Sequence, residues 1–240
     1  MALLFTLNTY AVYSSCDSAW TEIKEYNGVK ERYKDHYGKC DKNLLIALHD
    51  IARYRHRPLG YKSAKKAMFG SIDQENGKVC SVYSSECIRT KKVPNHRRMN
   101  AEHTWPKSKG AGKVPAISDL HHLFPCNSQV NSIRSSYPFC EVETVKWTNG
   151  LASLGTNSGQ GKCFEPPLEH RGNLARSMFY FSVRYNKRIN AQEEKWFRKW
   201  NKEDPVDQKE IDRNRSILNR QKNTNPFIDH PQLVNAIKDF

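Results

Sequence analysis

Seven cysteines, at positions 16, 40, 80, 87, 126, 140 and 163, are spread over the first two thirds of the chain. No two stand in a C-x-x-C pair, which weighs against a zinc ribbon or a thioredoxin-like redox centre. In a chain of 240 residues they suggest disulfides, and hence an oxidising compartment, with one thiol left over. The odd count keeps a second reading open, that of buried free thiols in a reducing compartment. The N-terminal MALLFTLNTYAVYSS is apolar like the middle of a secretory signal. It carries no basic residue, Thr6, Asn8 and Thr9 interrupt it, and no A-x-A site follows. Residues 1–15 are therefore a signal remnant or an apolar N-terminus, and 16–240 read as one domain. No segment is long and apolar enough to span a bilayer.

Hydrophobic residues make up 38% of the chain, with five Trp, eleven Tyr and ten Phe, enough for a packed core. Leu44, Leu45, Leu48, Ile51 and Ala52 recur at helical spacing, with Asp41 or Asn43 available as a cap and Pro58 as a stop. From Gly77 to about Pro106 the pattern shifts to short strands and loops. SDLHHLFPCNSQVNSIRSSYPF reads as an extended piece, a turn at Pro125, and a helix from Asn127 or Ser128 that Pro138 limits. Residues 146–163 form a loop or hairpin. A long helix starts near Asn173, which can cap it. Leu174, Met178, Phe181 and Tyr185 line one of its faces as core. From Glu203 a further helix leads to a docking terminal segment. The fold class is α+β, mainly helical, with a small antiparallel sheet.

Net charge is +14 and unevenly placed. Between Arg89 and Lys113 there are eight Lys and Arg against one acid, Glu102. A solvated face normally mixes signs, so this stretch reads as a phosphate-facing surface, with Arg97, Arg98, Lys107, Lys109 and Lys113 as its nucleic-acid contacts. Charge alone does not separate DNA from RNA or an anionic membrane.

Within that stretch Glu102 and His103 are adjacent. On a strand they point to opposite faces, so they share a site only if the strand bends or the substrate straddles it. Asn131 and Arg134, three apart on the expected helix, share a face. A carboxylate and a carboxamide suit a hard cation such as Mg²⁺. An unliganded imidazole can take a proton from water near neutral pH, and an arginine can neutralise phosphate. Each has a plainer reading: a surface histidine, a helix cap, or a zinc site built from His121 and His122 with His103, Glu102 or Asp119.

Three blocks, NAEHTWPKS, SDLHHLFPCNSQVNSIRSSYPF and FEPPLEHRGNLARSMFYFSVRY, resemble those of the endonuclease I family of periplasmic or secreted bacterial nucleases. The resemblance implies a ββα-metal (His-Me finger) core. It makes His103 the general base, Glu102 and Asn131 ligands of Mg²⁺ (or Mn²⁺ or Ca²⁺ in its place), and Arg134 a phosphate contact. It places Asp119, His121 and His122 on the motif's second strand, orienting His103 or metal-bound water. The family's arginine between the first two blocks has no counterpart, because residues 104–118 offer only Lys107, Lys109 and Lys113 as cations. The implied activity is non-specific cleavage of double-stranded DNA, and of single-stranded DNA and RNA, to 5′-phosphate and 3′-hydroxyl ends; nothing in the sequence demands a membrane partner or more than a monomer. Two readings compete: a non-catalytic secreted nucleic-acid-binding protein that keeps the fold, and a small-molecule phosphoesterase.

Overall fold

Leu44, Leu48, Ile51 and Ala52 are buried along one side of helix α1 (Asp41–Arg53), which packs on a second, largely buried helix, α4 (Arg171–Tyr185). The computed structural model describes Cys16, Ala19 and residues 33–240, so the reading of residues 1–15 lies outside it. Between these helices the chain runs through α2 (Tyr61–Ala67), continued by a wider turn at Met68–Ile72. It then forms β1 (Gln74–Glu75), β2 (Lys78–Cys80), β3 (Cys87–Arg89), β4 (Met99–His103), β5 (Leu123–Asn127), α3 (Ser128–Arg134), β6 (Thr144–Thr148), β7 (Ser153–Asn157) and β8 (Gly161–Glu165). After α4 come α5 (Ala191–Glu203), α6 (Gln208–Gln221) and α7 (Pro226–Asp229).

The mixed helical and antiparallel character agrees with the α+β expectation, but the strands form three small sheets: β1-β2-β3, β4-β5 and β6-β7-β8. One apolar core gathers around α4, where Phe179, Phe181, Phe197, Trp200 and Phe227 are buried. A second, with Met68, Phe69, Val79, Met99, Leu123 and Ile217, underlies β4 and β5. The terminal segment docks as expected: Ile189 N–H donates to the Phe240 carbonyl, Phe240 N–H donates to Glu194, and the Phe240 ring lies 4.4 Å from that of Phe179.

Local boundaries differ from the sequence reading in four places. Helix α1 stops at Arg53, before Pro58, and Cys40 holds its N-cap position; Asp41 instead accepts a hydrogen bond from Lys238 N–H. Pro125 lies inside β5, opposite Ala101. In a two-stranded sheet each strand is an edge, where a missing N–H is tolerated, and the Pro125 carbonyl accepts from Val82 N–H. Asn173 is inside α4, which starts at Arg171 after His170. Finally, α5 is a separate helix. Asn186, in the left-handed conformation, ends α4, and the Asn190 side chain caps α5 by accepting from Gln192 N–H.

Three disulfides, Cys16–Cys40, Cys80–Cys87 and Cys140–Cys163, leave Cys126 buried and free. This matches the expected bridges with one thiol over.

Candidate active site

Strand β4 pairs antiparallel with β5 from Met99↔Asn127 to His103↔Leu123, and α3 follows β5 directly. Asn127 makes that junction sharp: its side chain accepts from Gln129 and Val130 N–H, capping α3. Consequently the end of β4 and one face of α3 border the same cleft of about 560 Å³, lined by Glu102, His103, Asn131, Arg134 and Lys107 among others. The face problem posed by adjacent Glu102 and His103 is resolved at the strand's last residues, where both reach one cavity.

His103 is 5% exposed, and its Nε2 lies 3.1 Å from the Ile117 carbonyl. A carbonyl only accepts, so Nε2 carries the proton and Nδ1 is the basic nitrogen, an assignment made from the hydrogen bond. Burial, with His122 and Lys107 nearby, brings the imidazole down to about 3, against the weaker pull of its carbonyl contacts. The ring is therefore neutral at physiological pH. It packs 5.5 Å from the His122 ring and 5.6 Å from that of Tyr61.

Glu102 is enclosed by Tyr83 and Arg134. Tyr83 Oη donates to Oε1 at 3.2 Å. Arg134 Nε lies 3.1 Å from the same oxygen, a charge contact without hydrogen-bond alignment. Burial raises the Glu102 carboxyl, and Arg134 and Tyr83 offset this only in part. The carboxylate thus remains under-compensated, which favours a further cation beside it. Asn131 spends Nδ2 on Asn100 Oδ1 (2.6 Å) and the Ala101 carbonyl (3.4 Å). Its Oδ1 is left as the acceptor at the cleft. One carboxylate and one amide oxygen bordering the same cavity fit a hard, largely hydrated cation. Among the described residues no group of three or more His, Cys, Asp and Glu is placed to hold a metal, so the zinc alternative has no ligand cluster.

Arg134 is 1% exposed. Its Nη1 donates to the Ser135 carbonyl at 2.7 Å and its Nη2 to the Thr104 carbonyl at 2.8 Å, and its guanidinium lies over the Phe139 ring. Lys107 lines the cleft and makes no ion pair among the described residues. Lys109 lines a neighbouring pocket with Trp105 and Glu193. Arg97, Arg98 and Lys113 are exposed away from the cleft lining, and Arg98 pairs with Glu86.

Asp119, His121 and His122 precede the second strand; they form a tight turn (Leu120–His122) capped by Asp119. A helical turn here lets Asp119 accept from His121 N–H, a local bond that an extended strand does not offer. Asp119 also accepts from Gln221, Tyr180 and Tyr185 at 2.7 Å each. Burial opposes its ionisation, but His121, His56, His122 and Gln221 outweigh burial and hold the carboxyl below the usual range. Tyr180 and Tyr185 lie in α4 and Gln221 in α6, so Asp119 ties the turn to the helices behind the site. His121 Nε2 donates to the Asn223 carbonyl, and His122 Nε2 donates to the Ala116 carbonyl at 2.6 Å. Of the three, His122 is the one in ring contact with His103.

Tyr83, Asn100, Tyr61 and the Ile117 carbonyl escaped the sequence reading. Tyr83 belongs to the loop closed by Cys80–Cys87, a pair of cysteines that signals a closed loop without showing where it docks.

The same order of strand, strand and helix frames the comparison with known proteins. A family model described as Endonuclease I matches residues 5–232. The chain belongs to the endonuclease I family. Among similar proteins, an extracellular ribonuclease of Bacillus amyloliquefaciens is 33% identical over 231 residues, covering 85% of this chain and 77% of its own. A periplasmic deoxyribonuclease of Aeromonas hydrophila is 34% identical over 111 residues, 46% of this chain and 47% of its own. An endonuclease-1 of Buchnera aphidicola is 32% identical over 111 residues, 46% and 44% respectively.

Proposed function

We propose that this endonuclease I family member is a secreted or periplasmic endonuclease that hydrolyses phosphodiester bonds of nucleic acids, with His103 as general base. The observation that carries this reading is the fixed tautomer of His103. Nε2–H bonded to Ile117 leaves Nδ1 to take the proton from an attacking water, in a cleft shared with Glu102 and Asn131. Glu102 and Asn131 would hold Mg²⁺, with Mn²⁺ or Ca²⁺ as substitutes. The bound cation would supply positive charge at the scissile phosphate and the departing 3′-oxygen. The products are a 5′-phosphate and a 3′-hydroxyl.

Arg134, with donors committed to Thr104 and Ser135, acts mainly as the counter-charge that positions Glu102. Lys107, unpaired in the cleft, meets the phosphate, as a point charge without bidentate geometry. His122 packs on His103 and keeps its ring in place. Two relatives covering most of the chain are named ribonucleases, and of those covering about half, three are named deoxyribonucleases and two endonuclease-1. RNA therefore stands beside double- and single-stranded DNA as substrate. Three disulfides and relatives named extracellular or periplasmic support export. Among the described residues no helix is long and apolar enough to cross a membrane.

The test is cleavage of plasmid, single-stranded DNA and RNA with Mg²⁺ and then with EDTA. Cleavage that EDTA abolishes is expected. His103→Ala should lose about 10²–10⁴ in rate while still binding DNA. A His103→Ala protein that cuts as fast as the parent sinks the mechanism. A parent that binds nucleic acid in Mg²⁺ yet never cuts it supports the non-catalytic reading instead.

A further inference from the structure

Beside the cleft, and sharing Tyr61, Lys65 and Val93 with it, runs a larger groove of about 760 Å³. Its other walls are Lys62, Lys66, Lys91 and Lys92, and no acid lines it. The lysines come from two places. Lys62, Lys65 and Lys66 stand at i, i+3 and i+4 of α2, on one face, while Ala64 and the following Met68 and Phe69 are buried in the core. Lys91 and Lys92 follow β3 in a loop held by Thr90, whose Oγ1 accepts from Lys92 N–H and donates to the Lys92 carbonyl.

Some cations elsewhere are neutralised by acids, as Arg171 is by Glu165, Arg176 by Glu210 and Arg213 by Asp73. Among the described residues, none of these five lysines has an acidic partner. Five ammonium groups around one concavity repel one another, and a polyanion relieves that repulsion. The groove is also continuous with the reacting centre. Lys65 Nζ lies 4.8 Å from the centroid of the Tyr61 ring, which itself lies 5.6 Å from the His103 ring.

We propose that this groove holds the phosphodiester backbone of the substrate strand flanking the scissile bond. The proposal rests on the nuclease reading above and extends it. The strand's path passes Lys91 and Lys92 at the start of the basic run that the charge pattern singled out and leads on over α2, outside it. It bypasses Arg98, whose charge Glu86 already meets.

The test measures binding in the His103→Ala background, so that no cutting intervenes. A Lys62→Ala, Lys66→Ala, Lys92→Ala triple, all at exposed positions, is compared with a Lys195→Ala, Lys202→Ala, Lys238→Ala triple of equal charge outside the groove. Fluorescence anisotropy follows single-stranded and duplex oligonucleotides of about 20 nucleotides between about 50 and 200 mM salt. If each groove lysine meets one phosphate, the slope of log affinity against log salt falls by about 2 on the single strand and slightly more on the duplex. The control triple should change it little. A change on the single strand alone assigns the groove to unpaired backbone. An unchanged slope in the groove triple, or an equal fall in both triples, overturns the proposal. Failure of the parent to cut would sink the nuclease reading and leave this binding result standing on its own.

Discussion

At the scale of single residues, Glu102 shows how burial and partners set a group's use. Its carboxylate is buried with Arg134 and Tyr83 on one oxygen, and burial still dominates its ionisation. Removing the Tyr83 hydroxyl takes away a hydrogen bond that favours the charged form and holds the carboxylate's orientation. Tyr83→Phe preserves the ring packing against Phe164 and His170. This variant should raise the Mg²⁺ concentration for half-maximal cleavage by about tenfold, the order expected when the partner of a metal-binding carboxylate is lost. A metal titration of cleavage rate checks this, and an unchanged half-saturation point refutes the positioning role of Tyr83. His103 supplies a second residue-scale expectation. Because burial keeps it neutral far below the ordinary histidine range, to about 3, the acid limb of the kcat/KM profile should lie well below pH 6.5. A break at the unperturbed histidine value would show that the imidazole is solvated in the working enzyme.

Among the elements, the junction of β5 and α3 carries the site. Asn127 ends the strand, caps the helix, and is itself held by Glu86 through its Nδ2. Asn127→Ala should cost about 1–2 kcal/mol of stability and lower activity further, because α3 presents Asn131 to the cleft. Urea unfolding and cleavage rate together test this. Loss of stability with full activity would mean that α3 holds its place without the cap. The start of α3 near Asn127 was legible in the sequence, though not its cap, as were α1, α4 and the helix face that presents Asn131 and Arg134. These rest above all on apolar periodicity, whereas the caps read for α1 and α4 and the stop at Pro58 lie elsewhere in the structure. The course of β5 through Pro125 was not legible, because proline reads as a turn until its partner strand is known. Helix α5 was hidden by the mixed charges around Trp196 and Trp200, although Asn186 and Asn190 mark its entry. Within the site, Glu102, His103 and Asn131 were recognisable from their motifs. Tyr83 and Asn100 were not, since each reaches its partner only through tertiary packing, Tyr83 from a disulfide-closed loop nineteen residues away.

Across the whole molecule, buried histidines make stability depend on pH. Burial lowers His121 to about 4, His170 to about 3 and His230 to about 4. His121 and His170 also feel the charge of Arg213. All three side chains are buried in the folded chain. In the unfolded chain each takes a proton near pH 6.5. Between that value and about pH 4 the unfolded state therefore holds more protons, and acid favours unfolding. Each histidine contributes its full stability above neutral pH and loses up to about 1.4 kcal/mol for every pH unit through this window. Glu102, Glu193 and Glu210, raised mainly by burial, act in the opposite sense. They bind protons more readily when folded and offset part of the loss. Asp119, held low by its neighbours, adds to the loss only at the acid end. The unfolding free energy should thus fall by a few kcal/mol between about pH 7.5 and pH 5, measured by urea denaturation at constant ionic strength. His230, which contacts Tyr33 edge-on and whose Nε2 has no hydrogen-bond partner among the described residues, isolates one unit of this effect. His230→Gln should make the pH slope shallower, even if the variant is less stable at pH 7.5. A stability that holds or rises on going to pH 5 would show that the carboxyls, rather than the histidines, set the acid response of the fold.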